Sequence, residues 1–287
     1  MAENIGGPAE GGKEDARRVG PAACRVAPAG AAGLLAEFAQ RTRIGAGRTL
    51  NEDAIGGWPR DGGFLFAVAD GLGGYDDGEM ASRLALNALG DALASAPPTW
   101  RPARRLRRGF EQANLAVHAR GRMRTTLTAS LLEYGTLTTG HVGDCRMLVF
   151  RDGLLAQRTS DHNVAGRMAE FRLLSARGMS RHPGRRVLTR CLGNDAFVRV
   201  DMTSLQVRSG DIYLQCSDGI AWLSGPEIIE VIVQHDPGEA ARILVRRVVE
   251  VGGDDDTSVQ VLSVLACPPA PPKPGWLGGW LNRLTAR

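Results

Sequence analysis

Three short apolar stretches of this chain each run into an aspartate, and this repeated ending constrains the fold more than any other feature. Residues 64–69 (FLFAVA) close on Asp70-Gly71, LTTGHVG closes on Asp144, and DIYLQCS closes on Asp218-Gly219. A short unbroken apolar run marks a buried strand. The chain therefore predicts several core strands with carboxylates standing where they leave the core. Two more acidic groups belong to the pattern. Asn51-Glu52-Asp53 opens the body of the chain, and Asp254-Asp255-Asp256 precedes its last apolar stretch.

Turn chemistry groups the strands into hairpins. Residues 126–133 and 136–142 are separated by Tyr134-Gly135, and residues 146–151 and 154–158 flank Asp152-Gly153, a tight-turn pair. Further strands are expected at 197–205, 211–216 and 258–265. Helical spacing runs through 78–93, where Ala81, Leu84, Ala85, Ala88 and Leu89 are apolar. It also runs through 102–120, where Leu106, Phe110, Ala113 and Val117 share a face opposite arginines. Asp236-Pro237-Gly238-Glu239 has the order of an N-cap, a first-position proline and an acid, opening a helix that Gly252-Gly253 ends. Hairpins mixed with helix pairs predict an α+β fold rather than regular βαβ alternation. One domain is expected over 34–267. Residues 1–33, rich in Gly, Ala and Pro, read as a flexible leader. Residues 268–275 (PPAPPKPG) read as a proline-rich spacer before an amphipathic tail, in which Trp276, Leu277, Trp280, Leu281 and Leu284 recur at helical spacing.

Composition excludes several classes of function. The chain has 287 residues, 43% hydrophobic and 23% charged, as in globular enzymes. No stretch reaches the roughly 18 uninterrupted apolar residues of a membrane span. The first residues, MAENIGGPAEGGKED, lack the apolar region of a secretory signal, so a cytoplasmic protein is expected. Net charge is +4, but the basic residues are nearly all arginine, spread along the chain with one dense run at 101–108, and aromatics are only 5%. Nucleic-acid binding is not expected on that pattern. The five cysteines, Cys24, Cys145, Cys191, Cys216 and Cys267, form no C-x-x-C pair and read as scattered reduced thiols.

Taken singly, an Asp-Gly at a strand end is a solvated turn. Five acidic clusters attached to apolar strands are another matter. Converging strand ends would repel, and a bound cation is the natural compensation. The donors would be carboxylate oxygens without His or Cys, which selects Mg²⁺ or Mn²⁺ over Zn²⁺ or copper. Two such ions would clamp a phosphoryl oxygen and share a water or hydroxide.

The ordered stretches GAGRTLNEDA (45–54), FLFAVADGLGGYDDGEMAS (64–82), TTLTASLLEYGTLTTGHVGDCRM (125–147), RTSDHN (158–163), HPGRRVLTRCLG (182–193), SGDIYLQCSDGI (209–220) and GGDDDTSVQV (252–261) carry a family likeness. In order and spacing the chain resembles the metal-dependent Ser/Thr protein phosphatases of the 2C type, the bacterial branch above all. The resemblance covers nearly all of residues 40–265. It implies two packed antiparallel sheets flanked by helices, and hydrolysis of phosphoserine or phosphothreonine in proteins by a metal-bridged hydroxide attacking phosphorus in line. It also implies roles. Asp70 would bridge two Mn²⁺ or Mg²⁺ ions, with the Gly71 carbonyl on one and Asp218 and Asp255 on the other. Glu52 and Asp53 would hold metal-bound waters, Arg48 would grip the phosphate, and Asp144 matches the aspartate tied to a third, weaker ion. Arg48, Asp53 and Asp70 are thus the implied catalytic residues.

The chain departs from the family pattern at several places. Leu72 follows Asp70-Gly71 where eukaryotic members often have histidine, and Tyr75 stands where many bacterial members have one. No motif histidine is left as general acid; a metal-bound water is preferred, with Tyr75 and His162 as alternatives. Arg124 and Asp256 replace a usual glycine and asparagine, and Cys145 a usual serine. No implied metal ligand is lost, which favours an active enzyme over a relative that only binds a partner or senses a signal. A phosphatase of small phosphoesters is a further alternative. Phosphorylated proteins and a cognate Ser/Thr kinase are the implied partners, with a lean towards the group linked to type VI secretion.

Overall fold

The structure is a computed structural model that describes residues 3–4, 22–26, 33–60, 63–72, 77–175, 178–179 and 182–267. Twelve strands occur among them: β1 (Glu3–Asn4), β2 (Ala23–Val26), β3 (Leu35–Arg43), β4 (Asp53–Arg60), β5 (Gly63–Asp70), β6 (Leu127–Glu133), β7 (Thr136–Val142), β8 (Arg146–Arg151), β9 (Leu154–Arg158), β10 (Asp201–Gln206), β11 (Ile212–Cys216) and β12 (Thr257–Ala266). The helices are α1 (Gly78–Ser95), α2 (Pro102–His118), α3 (Val164–Glu170), α4 (Gly225–Gln234) and α5 (Pro237–Glu250). The strands make two sheets, ordered β1-β2-β3-β12-β11-β8-β9 and β10-β7-β6-β5-β4, with every pairing antiparallel.

The turn residues account for the hairpins. Tyr134 and Gly135 have φ of 48° and 71°, and Asp152 and Gly153 have 53° and 75°. Two successive left-handed residues match the right-handed twist of the strands they join. The α5 opening follows its sequence signal, with the Asp236 side chain accepting from the Glu239 N–H.

Alternation along the strands sorts the core into layers. On β5, Leu65, Ala67 and Ala69 pack with Ala85 and Leu89 of α1 and Leu106 and Phe110 of α2. Leu214, Cys216, Val259 and Val261 pack with α4 and α5. The opposite faces meet between the sheets, where Phe64 and Phe66 join Phe38, Tyr213 and Leu262. Further along the same layer the side chains turn polar. Gln215, Gln260 and Gln40 face one another across β11, β12 and β3 in register, with amide bonds of 3.0 and 2.8 Å, and Ser130 donates to Gln215 at 2.9 Å. Beyond the amides lie carboxylates: continuing the series Phe64, Phe66, Val68 puts Asp70 between the sheets. The layer is thus graded from aromatic to amide to acid.

The structure corrects two expectations. Ala23–Val26, inside the 1–33 segment read as a leader, is a strand on β3, with Cys24 opposite Phe38 and both buried. Its ACRV alternation is too brief to stand out from Ala-rich surroundings. The strand expected at 197–205 begins only at Asp201, and Phe197 is 93% exposed. Tyr75 and the spacer and tail from 268 onwards fall outside the described residues.

Candidate active site

One end of the inter-sheet layer opens into a cleft of about 950 Å³. Asp70, Gly71, Asp144, Asp218, Asp255 and Glu52 line it, with Arg48 on its rim. Five separate segments supply them. Asp70 ends β5, and the start of α1 approaches Gly71 so closely that a Cβ there would run into the Gly78 carbonyl. Asp144 sits on the β7–β8 turn after Gly143, whose φ of 110° suits only glycine. Asp218 opens a 3₁₀ turn (Asp218–Trp222) after β11. Asp255 lies just before β12.

Asp53 does not line the cleft; it lies behind it. It pairs directly with Asp70 across β4 and β5, which sets two carboxylates opposite each other on neighbouring strands, a destabilising arrangement when uncompensated. Ser217 Oγ donates to Asp53 Oδ2 at 2.7 Å, while Asp53 Oδ1 is buried with no partner.

Burial and mutual repulsion raise the carboxyls of Asp53, Asp70, Asp144 and Asp218 together. Burial pushes the Asp53 carboxyl up to about 7 against the Ser258 and Ser217 hydroxyls, with Asp218 and Asp256 adding to the rise. Burial takes Asp144 to about 8, with Asp218 next. It takes Asp218 to about 6, with Asp255 next and Arg146 and Arg185 opposing. Asp70 is held well above the usual carboxylate range by burial and then by Asp53, Asp218 and Asp144. Acids that resist ionisation for this reason are the electrostatic mark of a site built for positive charge.

Arg48 is met by three acids: Glu52 at 3.1 Å, Asp255 at 2.5 Å and Asp256 at 3.2 Å. Among the described residues no three acidic, cysteine or histidine side chains converge on one point; Asp255 is turned onto Arg48 instead. Asp256, absent from the sequence-based set, is the pin of this corner. It accepts from the backbone N–H groups of Gly45 (2.7 Å) and Glu52 (2.8 Å) as well as from Arg48. A signal for it existed, because alternation back along β12 from Gln260 through Ser258 reaches Asp256 on the same inward face.

His162 does not line the cleft. Its Nδ1 accepts from the Gly143 N–H at 3.0 Å, so its Nε2 carries the proton and faces Asp201 at 3.0 Å. It braces the turn that presents Asp144. Asp161 beside it takes Arg146 in a two-pronged bond of 3.0 and 2.7 Å. Among the described residues no histidine lines the cleft.

Comparison with known proteins finds similar sequences and structures. The family model described as protein phosphatase 2C matches residues 41–236. The serine/threonine protein phosphatase PstP of Mycobacterium tuberculosis is 32% identical over 249 residues, covering 81% of this chain. The chain spans about half, 46%, of the length of that relative. The crystal structure of the catalytic domain of PstP with two manganese ions superposes with a TM-score of 0.72 at 30% identity, covering 81% of this chain and 99% of that one. PppA, a key regulatory component of the type VI secretion system in Pseudomonas aeruginosa, superposes with a TM-score of 0.69 at 28% identity, covering 80% and 97%.

Proposed function

The chain belongs to the protein phosphatase 2C family, and on that premise we propose that it hydrolyses phosphoserine and phosphothreonine in proteins with two divalent cations, Mn²⁺ or Mg²⁺. One observation carries the reading: Asp53 and Asp70 oppose each other across buried strands, with Asp144 and Asp218 beside them. Such a cluster needs positive charge. Its donors are all hard oxygens, which suits Mn²⁺ or Mg²⁺, and Asp53 Oδ1 is an acceptor still to be filled. The two manganese ions of the PstP catalytic domain support the same assignment.

Asp70, the Gly71 carbonyl, Asp218 and Asp255 would hold the pair of ions, and Asp144 a third. When bound, the ions would supply an activated water and polarise the phosphoryl oxygens. The protein's own residues do the rest. Arg48 offers a planar fork to two phosphate oxygens, and Asp256 and Glu52 hold the loop that carries it. Asp53 and Glu52 orient water around the acidic floor. Cys191 lines the cleft, but burial raises its thiol pKa, so it is not poised as a nucleophile. Solvent in the cleft protonates the departing Ser or Thr oxygen. The substrates are taken to be products of a bacterial Ser/Thr kinase in the cytoplasm, and the likeness to PppA supports a place in type VI secretion.

A phosphothreonine peptide tests this. Turnover should require Mn²⁺ or Mg²⁺, stop with chelator and vanish in Asp70→Ala. Turnover that survives both treatments would sink the mechanism. Hydrolysis confined to small phosphoesters would reassign the substrate, and phosphopeptide binding without hydrolysis would make the chain a binding relative.

A further inference from the structure

The segment from residue 185 to residue 201 walls one side of the cleft with more positive charge than the protein itself neutralises. It carries Arg185, Arg186, Arg190 and Arg199, all lining the cleft, against Asp195 and Asp201. Asp201 is taken up by Arg190 at 2.7 Å, and Arg199 reaches the same carboxylate only at 3.8 Å with its side chain 83% exposed. Asp195 is engaged by the Asn194 amide at 2.7 Å. Among the described residues Arg185 and Arg186 form no ion pair. Both sit on a short 3₁₀ turn (Pro183–Arg186) whose start is fixed by the Gly184 N–H donating to His182 Nδ1 at 3.0 Å, so their backbone is held in place. Arg185 is half-buried and near enough to Asp218 to act on it electrostatically, whereas Arg186 is exposed. Phe197, on the same wall, presents an almost fully exposed ring. An exposed ring beside unpaired guanidiniums suits an extended peptide that is both apolar and anionic.

Resting on the phosphatase reading above, we infer that this wall selects phosphosites flanked by acidic residues, with Arg186 and Arg199 meeting the flanking carboxylates and Arg185 serving the side nearer the phosphate. The reaction at the acidic floor needs none of these charges. Their use is recognition: an acidic-flanked phosphopeptide is drawn in by the wall and its phosphate delivered to the floor.

The test is a set of phosphothreonine peptides with acidic, alanine or basic flanks, read as ratios of kcat/KM. Exposed ion pairs contribute modestly, so two of them should favour acidic over alanine flanks by about fivefold to tenfold at low salt. Salt at about 0.5 M should erase most of the preference through screening. Arg186→Ala combined with Arg199→Ala should bring the ratio near one, and the double change to Glu should invert it towards basic flanks. Both side chains are exposed, so the variants should fold, and a thermal melt checks this. A wild-type enzyme indifferent to the flanks, or a double Ala variant that keeps the preference, overturns the inference while leaving the phosphatase reading standing. Failure to hydrolyse any peptide in the set would instead remove the reading on which it rests.

Discussion

Replacing Asp256 by alanine should unpin the corner that presents Arg48. The side chain is 2% exposed, and each of its oxygens takes a backbone N–H, from Gly45 at 2.7 Å and from Glu52 at 2.8 Å. Both donors lie on the loop that carries Arg48, and Asp256→Ala leaves both without their charged acceptor. A hydrogen bond to a charged group contributes about 1.5–3 kcal/mol, so two give about 3–6 kcal/mol. Two effects oppose this. Asp256 raises the pKa of Glu52 and of Asp53, so its removal relieves repulsion, and water can enter the vacated space. A net loss of about 2–4 kcal/mol is expected after these offsets. At roughly 2–4 °C per kcal/mol for a domain of this size, the melting temperature should fall by about 4–16 °C. The assay is a thermal melt in chelator, run beside Asp255→Ala. The Asp255 side chain is about a third exposed and, among the described residues, bonds its neighbour's N–H and Arg48 alone, so its loss should shift stability by less than about 1 kcal/mol while removing turnover. Equal shifts in the two variants, or an Asp256→Ala protein that melts with the parent, would refute the assignment of Asp256 as the pin.

Three further outcomes are expected. Arg48→Ala should raise KM for a phosphothreonine peptide at least several-fold, because a bidentate charge-assisted contact to phosphate is lost; steady-state kinetics check this, and an unchanged KM and kcat would remove Arg48 from substrate binding. The metal-free protein should melt at lower temperature at pH 8.5 than at pH 5.5. Folded Asp218, Asp53 and Asp144 keep their protons up to about 6, about 7 and about 8, whereas unfolded aspartates release theirs near pH ~3.9. The folded state therefore binds more protons in between, and stability falls as pH rises through that window; a flat or rising profile in chelator would contradict it. Gly219→Ala should destabilise by about 1–3 kcal/mol, since its Cβ would be driven into the Asp256 carbonyl; a melt matching the parent would refute that close approach.

Strands with unbroken apolar runs and paired turn residues were legible before the structure, as β5 and the β6–β7 and β8–β9 hairpins show. Strands β3 and β4 were not. β3 buries Ala36, Phe38, Ala39 and Gln40 in succession around Glu37, so neither a clean alternation nor an unbroken apolar run shows, and the inward glutamine breaks the apolar pattern. β4 carries Gly56, Gly57 and Pro59, residues of turns, and Gly57 is needed because a Cβ would meet the Phe38 ring. For the site, the aspartates gathered in one cleft because each ends an element of the same layer. The groups that position them, Asp256, Ser217 and the Asp161–Arg146 pair, act across more than one element. Their roles depend on strand register, which a single sequence does not display.

The amide row Gln215–Gln260–Gln40 bears on that register. Cys216 pairs with Val259, and the aspartates of the floor lie just past these positions, Asp218 beyond the end of β11 and Asp256 and Asp255 ahead of the start of β12. Sliding β11 against β12 by two residues would keep every side chain on its proper face and cost the greasy layers little. It would nevertheless carry Asp218 away from Asp255 by about 7 Å. Such a slip also breaks the amide row, leaving buried donors and acceptors without mates at about 1–3 kcal/mol apiece. The row therefore works as a vernier. It rejects misaligned sheets that hydrophobicity alone would accept, and so indexes the acidic floor to within less than one residue step.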